Sequence, residues 1–127
     1  MAKLTDYTSY ADAQRHFSPA ALWALFDGNR ESLNIAHECV DRHREIAVRV
    51  AHADGRDEVL SFREISEASA RFAHWLAARG VGPGERVAIM LEPSLAFYAA
   101  LFGAMKRGAV AVPLFTLFGS DALRLRV

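Results

Sequence analysis

Apolar and polar positions along this chain recur with two different periods, and each change of period marks the edge of an element. In "AVRVAHADGRDEVLSF", Val48 and Val50 alternate with Arg49, the two-residue period of a half-buried strand. Asp54-Gly55 sits in the middle, where a tight reversal wants a positive φ, and Val59, Leu60 and Phe62 begin the return. The pattern predicts a β-hairpin. From Ser61 the period lengthens. Phe62, Ile65, Ser69, Phe72 and Leu76 then share one helical face, with Ala68 and Ala73 beside them and Arg63, Glu67 and Arg71 off it. Ser61 and Glu64 have the S-x-x-E spacing of a capping box, and Gly80 is the expected stop, free to take the left-handed conformation.

The next stretch predicts a strand, a helix and a second strand. "RVAIML" is nearly all apolar, so it is expected to be buried on both faces. Ser94 caps "LAFYAALFGAMKRG", whose apolar face is Leu95, Tyr98, Leu101, Phe102 and Met105, and Gly108 closes it. "AVAVPL" follows as a parallel partner, which makes a βαβ unit with the usual right-handed crossover. "FGSDALRLRV" starts one more helix, capped by Ser120 or Asp121. Upstream, "NIAHECVDRH" predicts a helix with Asn34 as N-cap and Ile35, Cys39 and Val40 as its apolar stripe, with Ala36 beside them. Residues 1–33 are weakly patterned and read as an arm with short helical pieces, whose aromatics Tyr7, Tyr10, Phe17, Trp23 and Phe26 should pack on something. The organisation is therefore an arm over 1–33 and a partial α/β subdomain over 34–127.

The glycines of "GVGPGERVAIML" invite a phosphate-binding reading. Such a loop needs the order strand, glycine-rich turn, helix, so that the helix N-terminus points at the anion. Here the order is helix, glycines, strand. Gly80 to Gly84 follow the carboxyl end of a helix, where the dipole favours cations, and they read as a C-cap followed by a Pro-Gly turn. The better place for a ligand is beyond the carboxyl ends of the parallel strands. Two loops qualify: Glu92-Pro93-Ser94, and Phe115 to Ser120. The second either lines a narrow apolar tunnel with a few polar groups or packs Phe115 and Phe118 into the core.

Composition narrows the class. Of 127 residues, 52% are apolar and 24% charged, and the formal net charge is zero. That is globular composition, with no basic excess for nucleic acid and no acidic tail. A single cysteine, Cys39, excludes an internal disulfide framework and fits a reducing compartment. The start carries no secretory signal pattern, and the run Ala109 to Phe118 is about half of the ~20 residues a membrane span needs. The expectation is a soluble, cytoplasmic chain.

His37, Cys39 and His43 lie close in sequence, but His37 faces away from the other two on a helix and a structural metal asks for a tetrahedral set. Packing is the expected role for this stretch, and no metal ligand is assigned. Ser94 lacks the flanking glycines of a nucleophile elbow and is expected to cap. His74 is placed at the rim of its helix.

"LNIAHECVDRH" resembles the amino-terminal segment of acetyl-CoA synthetases and other acyl-CoA synthetases. The stretch from "LSFREISEASARFAHWLAARGVGPGERVAIML" through "GAVAVPLFTLFGSDALRLRV" resembles the region that follows in AMP-forming, adenylate-forming enzymes. The resemblance runs from about Leu33 to Val127, and it is the order of the pieces that makes it specific. It implies an α/β fold, the incomplete N-terminal part of the large domain of the adenylate-forming fold: a β-hairpin plus a parallel βαβ unit with packed helices. It also implies a two-step ligase of fatty acid metabolism. A small-molecule carboxylate attacks ATP, with Mg²⁺, to give an acyl-adenylate, and coenzyme A (CoA) then displaces AMP.

Such enzymes use a Ser/Thr/Gly-rich loop ending in Lys and a late catalytic Lys. The only lysines here are Lys3 and Lys106, in neither context. The resemblance thus implies an N-terminal portion, whether a truncated gene product, a cloned piece or a split subunit. It is expected to be inactive alone, to bind none of these cofactors tightly, and to carry no catalytic residue. "PLFTLFG" aligns with the loop lining the CoA approach, which assigns Phe115, Thr116 and Leu117 to cofactor binding. Acetyl-CoA synthetases carry two glycines where this sequence has Thr116 and Leu117, which points toward a medium-chain or aryl acyl relative. The competing readings are a non-catalytic α/β interaction module, self-associating through uncovered apolar surface, and a stand-alone CoA- or nucleotide-binding domain.

Overall fold

The computed structural model describes residues 2–127. The chain forms two compact units, one ending at Leu33 and one spanning Asn34–Val127. In the first, α1 (Tyr10–Arg15) and α2 (Pro19–Trp23) are short, and each is started by a serine. Ser9 Oγ accepts from the Asp12 N–H at 3.1 Å and Ser18 Oγ from the Ala21 N–H at 3.1 Å, which satisfies first-turn donors that have no helical partner. Tyr7 stacks on His16 at 4.6 Å and Trp23 meets Phe26 at 5.7 Å, while Tyr10 stays 81% exposed.

The second unit begins with a single wide helical turn, His37–Asp41, in which the Arg42 N–H reaches the His37 carbonyl. The widened turn moves the stripe expected from a regular helix. Ala36 and Val40 are buried, Ile35 and Cys39 are exposed, and the charged Glu38 is buried instead, paired with the Arg42 guanidinium. Burial of Glu38 is tolerated because its charge is met at once.

The hairpin forms as the alternation predicts. β1 (Ile46–Ala51) pairs antiparallel with β2 (Asp57–Ser61), with Val48 opposite Leu60 and a register shift between Ile46 and Val48. Ser61 then switches the chain into α3 (Phe62–Ala78). Its Oγ accepts from the Glu64 N–H at 3.2 Å, and the Glu64 carboxylate accepts from the Ser61 N–H at 2.8 Å. At the far end, the N–H groups of Gly80 and Val81 bond the carbonyls of Ala77 and Leu76. That arrangement needs a left-handed residue, and Gly80 supplies it at φ 79°. Gly84, at φ 81°, completes the turn that feeds β3. The glycines therefore reverse the chain and leave no cradle for an anion.

β3 (Arg86–Ile89) and β4 (Val110–Pro113) are parallel, with Val87 beside Ala111 and Ile89 beside Pro113. α4 (Leu95–Lys106) connects them and lies against α3. The two helices meet most tightly at small residues rather than at the large ones of the expected face. Ala100, Gly103 and Ala104 are buried on α4, and Ala68 and Ser69 on α3. Two apolar cores result. Val40, Leu60 and Ile65 gather Val48, Val50 and Phe102 on the hairpin side. Leu76, Ala104 and Ala109 gather Phe72, Val87 and Ala111 on the βαβ side. Burying a side chain such as Ile65 contributes about 1.5–3 kcal/mol.

Three expectations are corrected. β3 and β4 are not buried on both faces: Ile89 is buried, but Ala88, Met90 and Val110 are exposed, α4 being the helix packed on these strands. β3 also stops at Ile89, two residues short of "RVAIML". α5 (Ser120–Arg124) is capped by neither Ser120 nor Asp121; Gly119 holds the N-cap position and Ser120 is already helical. Among the described residues, no helix is long and apolar enough to cross a membrane.

Candidate functional site

The carboxyl ends of β3 and β4 open into a cavity of about 380 Å³. Its position follows from the topology. Parallel strands joined by a helix send both of their following loops to the same edge of the sheet, and the gap between those loops is the natural crevice. Leu91, Phe97, Leu114 and Phe115 give it apolar walls, with Pro93 and Pro113 stiffening the two strand exits. Its polar groups are Glu92, from the loop after β3, and Thr116, from the loop after β4.

These two side chains bond each other. Thr116 Oγ1 donates to Glu92 Oε1 across the mouth of the sheet, joining positions 24 apart in sequence. Backbone bonds set up the meeting. The Leu114 N–H donates to the Ile89 carbonyl at 2.7 Å, so the two loops leave the sheet side by side. On the other strand Ser94 turns the chain: its Oγ accepts from the Phe97 N–H at 3.3 Å and donates to the Glu92 carbonyl at 3.0 Å. Ser94 is a helix cap, as its sequence context predicts.

The structure brings two of the three assigned residues, Phe115 and Thr116, to the cavity wall, and leaves Leu117 80% exposed on the same loop. Phe115 is 59% exposed and meets Phe118 edge-on at 5.9 Å, while Arg126 lies over the Phe118 ring at 4.4 Å. The loop aromatics do not fill the core, so the packed-loop alternative is set aside.

Sequence reading gave Glu92 a place in a candidate loop but no role. The signal was there: a lone carboxylate between an apolar strand and a proline, where only a local partner or solvent can satisfy it. A second polar cluster escaped it entirely. Lys106 Nζ lies 2.7 Å from Asp41 Oδ1 and donates to the Ser66 carbonyl at 3.0 Å, and Ser66 Oγ donates to Asp41 at 2.6 Å. This cluster clamps the turn before β1 to α3 and α4. It also spends Lys106, whose side chain is only 14% exposed, on structure. His43 packs on the Phe62 ring at 4.9 Å and bonds the Glu38 carbonyl oxygen at 3.0 Å, and His74 is exposed.

Comparison with known proteins agrees with this geometry. The family model described as AMP-binding enzyme matches residues 36–127. The acetyl-coenzyme A synthetase of Bacillus subtilis (strain 168) is 36% identical over 94% of this chain and 22% of its own length. That of Halorhodospira halophila is 34% identical over 81% of this chain and 17% of its own. Among solved structures, the Brucella canis acyl-CoA synthetase superposes with a TM-score of 0.84 at 34% identity, over 94% of this chain and 23% of that one. The chain thus spans about a fifth of the length of the relatives it matches.

Proposed function

Because this chain belongs to the AMP-binding enzyme family, we propose that it supplies the amino-terminal α/β portion of an ATP-dependent, AMP-forming carboxylate–CoA ligase of the cytoplasm. In this reading residues 1–33 form an arm and 34–127 the working subdomain. The strand-end cavity serves the CoA side of the reaction through Phe115, Thr116 and Leu117. The observation that carries the reading is the cavity at the carboxyl ends of two parallel strands, in a chain whose relatives are named acetyl-CoA and acyl-CoA synthetases.

The chemistry of the lining supports an uncharged ligand segment. One carboxylate and no cation line the cavity, so it does not fit the triphosphate of ATP or the phosphates of CoA. Apolar walls with two hydrogen-bonding groups do fit a neutral, amide-bearing arm. Acyl transfer through an adenylate needs a concentration of positive charge at the transferring phosphorus. Lys106 is committed to Asp41 and cannot supply it. In this reading the chain alone is catalytically silent. Incubation with ATP, Mg²⁺, CoA and a panel of acetate, medium-chain and aryl carboxylates should release pyrophosphate only at background. Release far above background would overturn that claim.

A second reading, a self-associating interaction module, rests on the open sheet face at Ala88, Met90 and Val110. Light scattering separates the two, since a concentration-independent monomer argues against self-association.

A further inference from the structure

We propose that Glu92 is the positioning and specificity-determining residue of the strand-end cavity. Its carboxylate ties the loop after β4 to the loop after β3, and it turns the cavity toward an uncharged, hydrogen-bond-donating chain and away from an anion. The proposal rests on the CoA reading above and narrows it to the neutral, amide-bearing arm of that cofactor. Three observations carry it. First, Thr116 Oγ1 donates to Glu92 Oε1, and this is a side-chain bond directly between the two loops. Second, Glu92 is the one ionisable residue of the lining, the rest being apolar apart from Thr116. A carboxylate only accepts hydrogen bonds, and it keeps acceptor capacity after Thr116 takes part of it, so what it still invites is a donor such as an amide N–H.

Third, Glu92 lies two residues before Ser94, the N-cap of the twelve-residue α4. A bare helix N-terminus favours anions. A carboxylate at that position offsets the partial positive charge and removes the attraction. Removing the carboxylate should then do more than slacken the loop: it should shift the cavity's preference between neutral and negative ligands.

The test uses the full 127-residue chain and two probes that share a pantoyl half, neutral pantetheine and anionic pantothenate, followed by amide chemical shifts in solution. Pantetheine should move the amides of residues 91–97 and 114–118 in the millimolar range, with pantothenate weaker by about fivefold, the ratio expected of like charges a few ångströms apart in a wet site. In Glu92→Gln that preference should shrink to within about twofold or reverse, as the helix end is left uncompensated. In Thr116→Val the preference should persist. In Thr116→Val, which deletes the donor, the amides of residues 114–118 should exchange with solvent faster, by about tenfold, because the tie is gone, whereas the side-chain oxygen of Glu92→Gln still accepts from Thr116 and should change their exchange less.

A Glu92→Gln variant that keeps the wild-type preference overturns the specificity claim, and unchanged exchange in Thr116→Val overturns the tie. If neither probe moves the cavity amides of the wild type, the CoA reading fails and takes the specificity claim with it. The exchange comparison, made without ligand, still judges the tie independently.

Discussion

Replacing Gly103 with alanine tests the seam on which the second unit is built. Gly103 lies inside α4, where a Cβ would stand 2.8 Å from the Ser69 carbonyl oxygen and 2.9 Å from Phe72 Cδ1. In an exposed helix the change would stabilise by about 0.8–1 kcal/mol, since alanine is the better helix former. Here the nearest atom belongs to the backbone of α3 and cannot swing aside. The helices must part along a seam that also buries Ala100, Ala104 and Ser69, and overpacking of that kind costs about 1–3 kcal/mol. The second effect wins by about 1 kcal/mol, which lowers the melting temperature by about 4–8 °C in a domain of this size. Gly82→Ala is the control, because its Cβ would meet only a Glu85 carboxylate oxygen at an ordinary 3.7 Å and its φ is not left-handed. It should stay within about 0.5 kcal/mol of wild type. Thermal and urea unfolding followed by circular dichroism read both variants. A Gly103→Ala protein as stable as the wild type, or more so, would refute the close seam.

Other outcomes follow from the same contacts. Ser61→Ala removes the cap that starts α3 and should destabilise by about 1 kcal/mol in urea titration; no change would mean the switch from β2 to α3 does not depend on it. The Ser61 hydroxyl and N–H hold the Glu64 carboxyl below the usual glutamate value. A lowered folded-state pKa means that this stabilisation is complete above the ordinary glutamate range and is lost as pH falls through the folded value. Carboxyl resonances titrated against pH should show that depressed midpoint, and Ser61→Ala, which removes the hydroxyl but keeps the N–H, should raise it part of the way to normal. Lys106→Met and Asp41→Asn each break a partly buried pair and should cost about 1–3 kcal/mol, below the figure for full burial. The double variant should recover about 1 kcal/mol of that, and strict additivity would show the clamp is not a coupled unit.

Most of the fold was legible because its signals are local. The alternation of Val48 and Val50, the Ser61–Glu64 spacing and the left-handed Gly80 each act within a few residues, and the structure keeps all three. What escaped was non-local. The tightest helix contact is made by Ala100, Gly103 and Ala104, and nothing in a periodicity favours small residues over Leu101 or Met105 until the partner helix is known. The Asp41–Lys106 pair joins positions 65 apart in sequence, so no window connects them. The stripe on residues 35–40 failed for a different reason. It assumed a regular turn, and the wider one observed puts Glu38 inside and Cys39 outside. For the site, topology alone gave the place, the carboxyl ends of β3 and β4, while the bond between Glu92 and Thr116 needed the register of the two strands.

On the proposed reading, that register explains why the cavity suits one part of a ligase reaction and not the other. Pairing Ile89 with Pro113 makes both strands leave the sheet at the same height, so their loops face each other and the lining is drawn from six apolar residues, one threonine and one carboxylate. Transfer of a phosphoryl or adenylyl group builds negative charge that must be met by preorganised positive charge or oriented donors. A cavity whose ionised group is itself negative opposes that build-up. It does not oppose a neutral arm threading past apolar walls, because such a ligand loses little hydration and can donate to Glu92. On the proposed reading, then, the strand ends of this chain guide the thiol-bearing arm, and the charge-neutralising half of the chemistry acts outside this cavity.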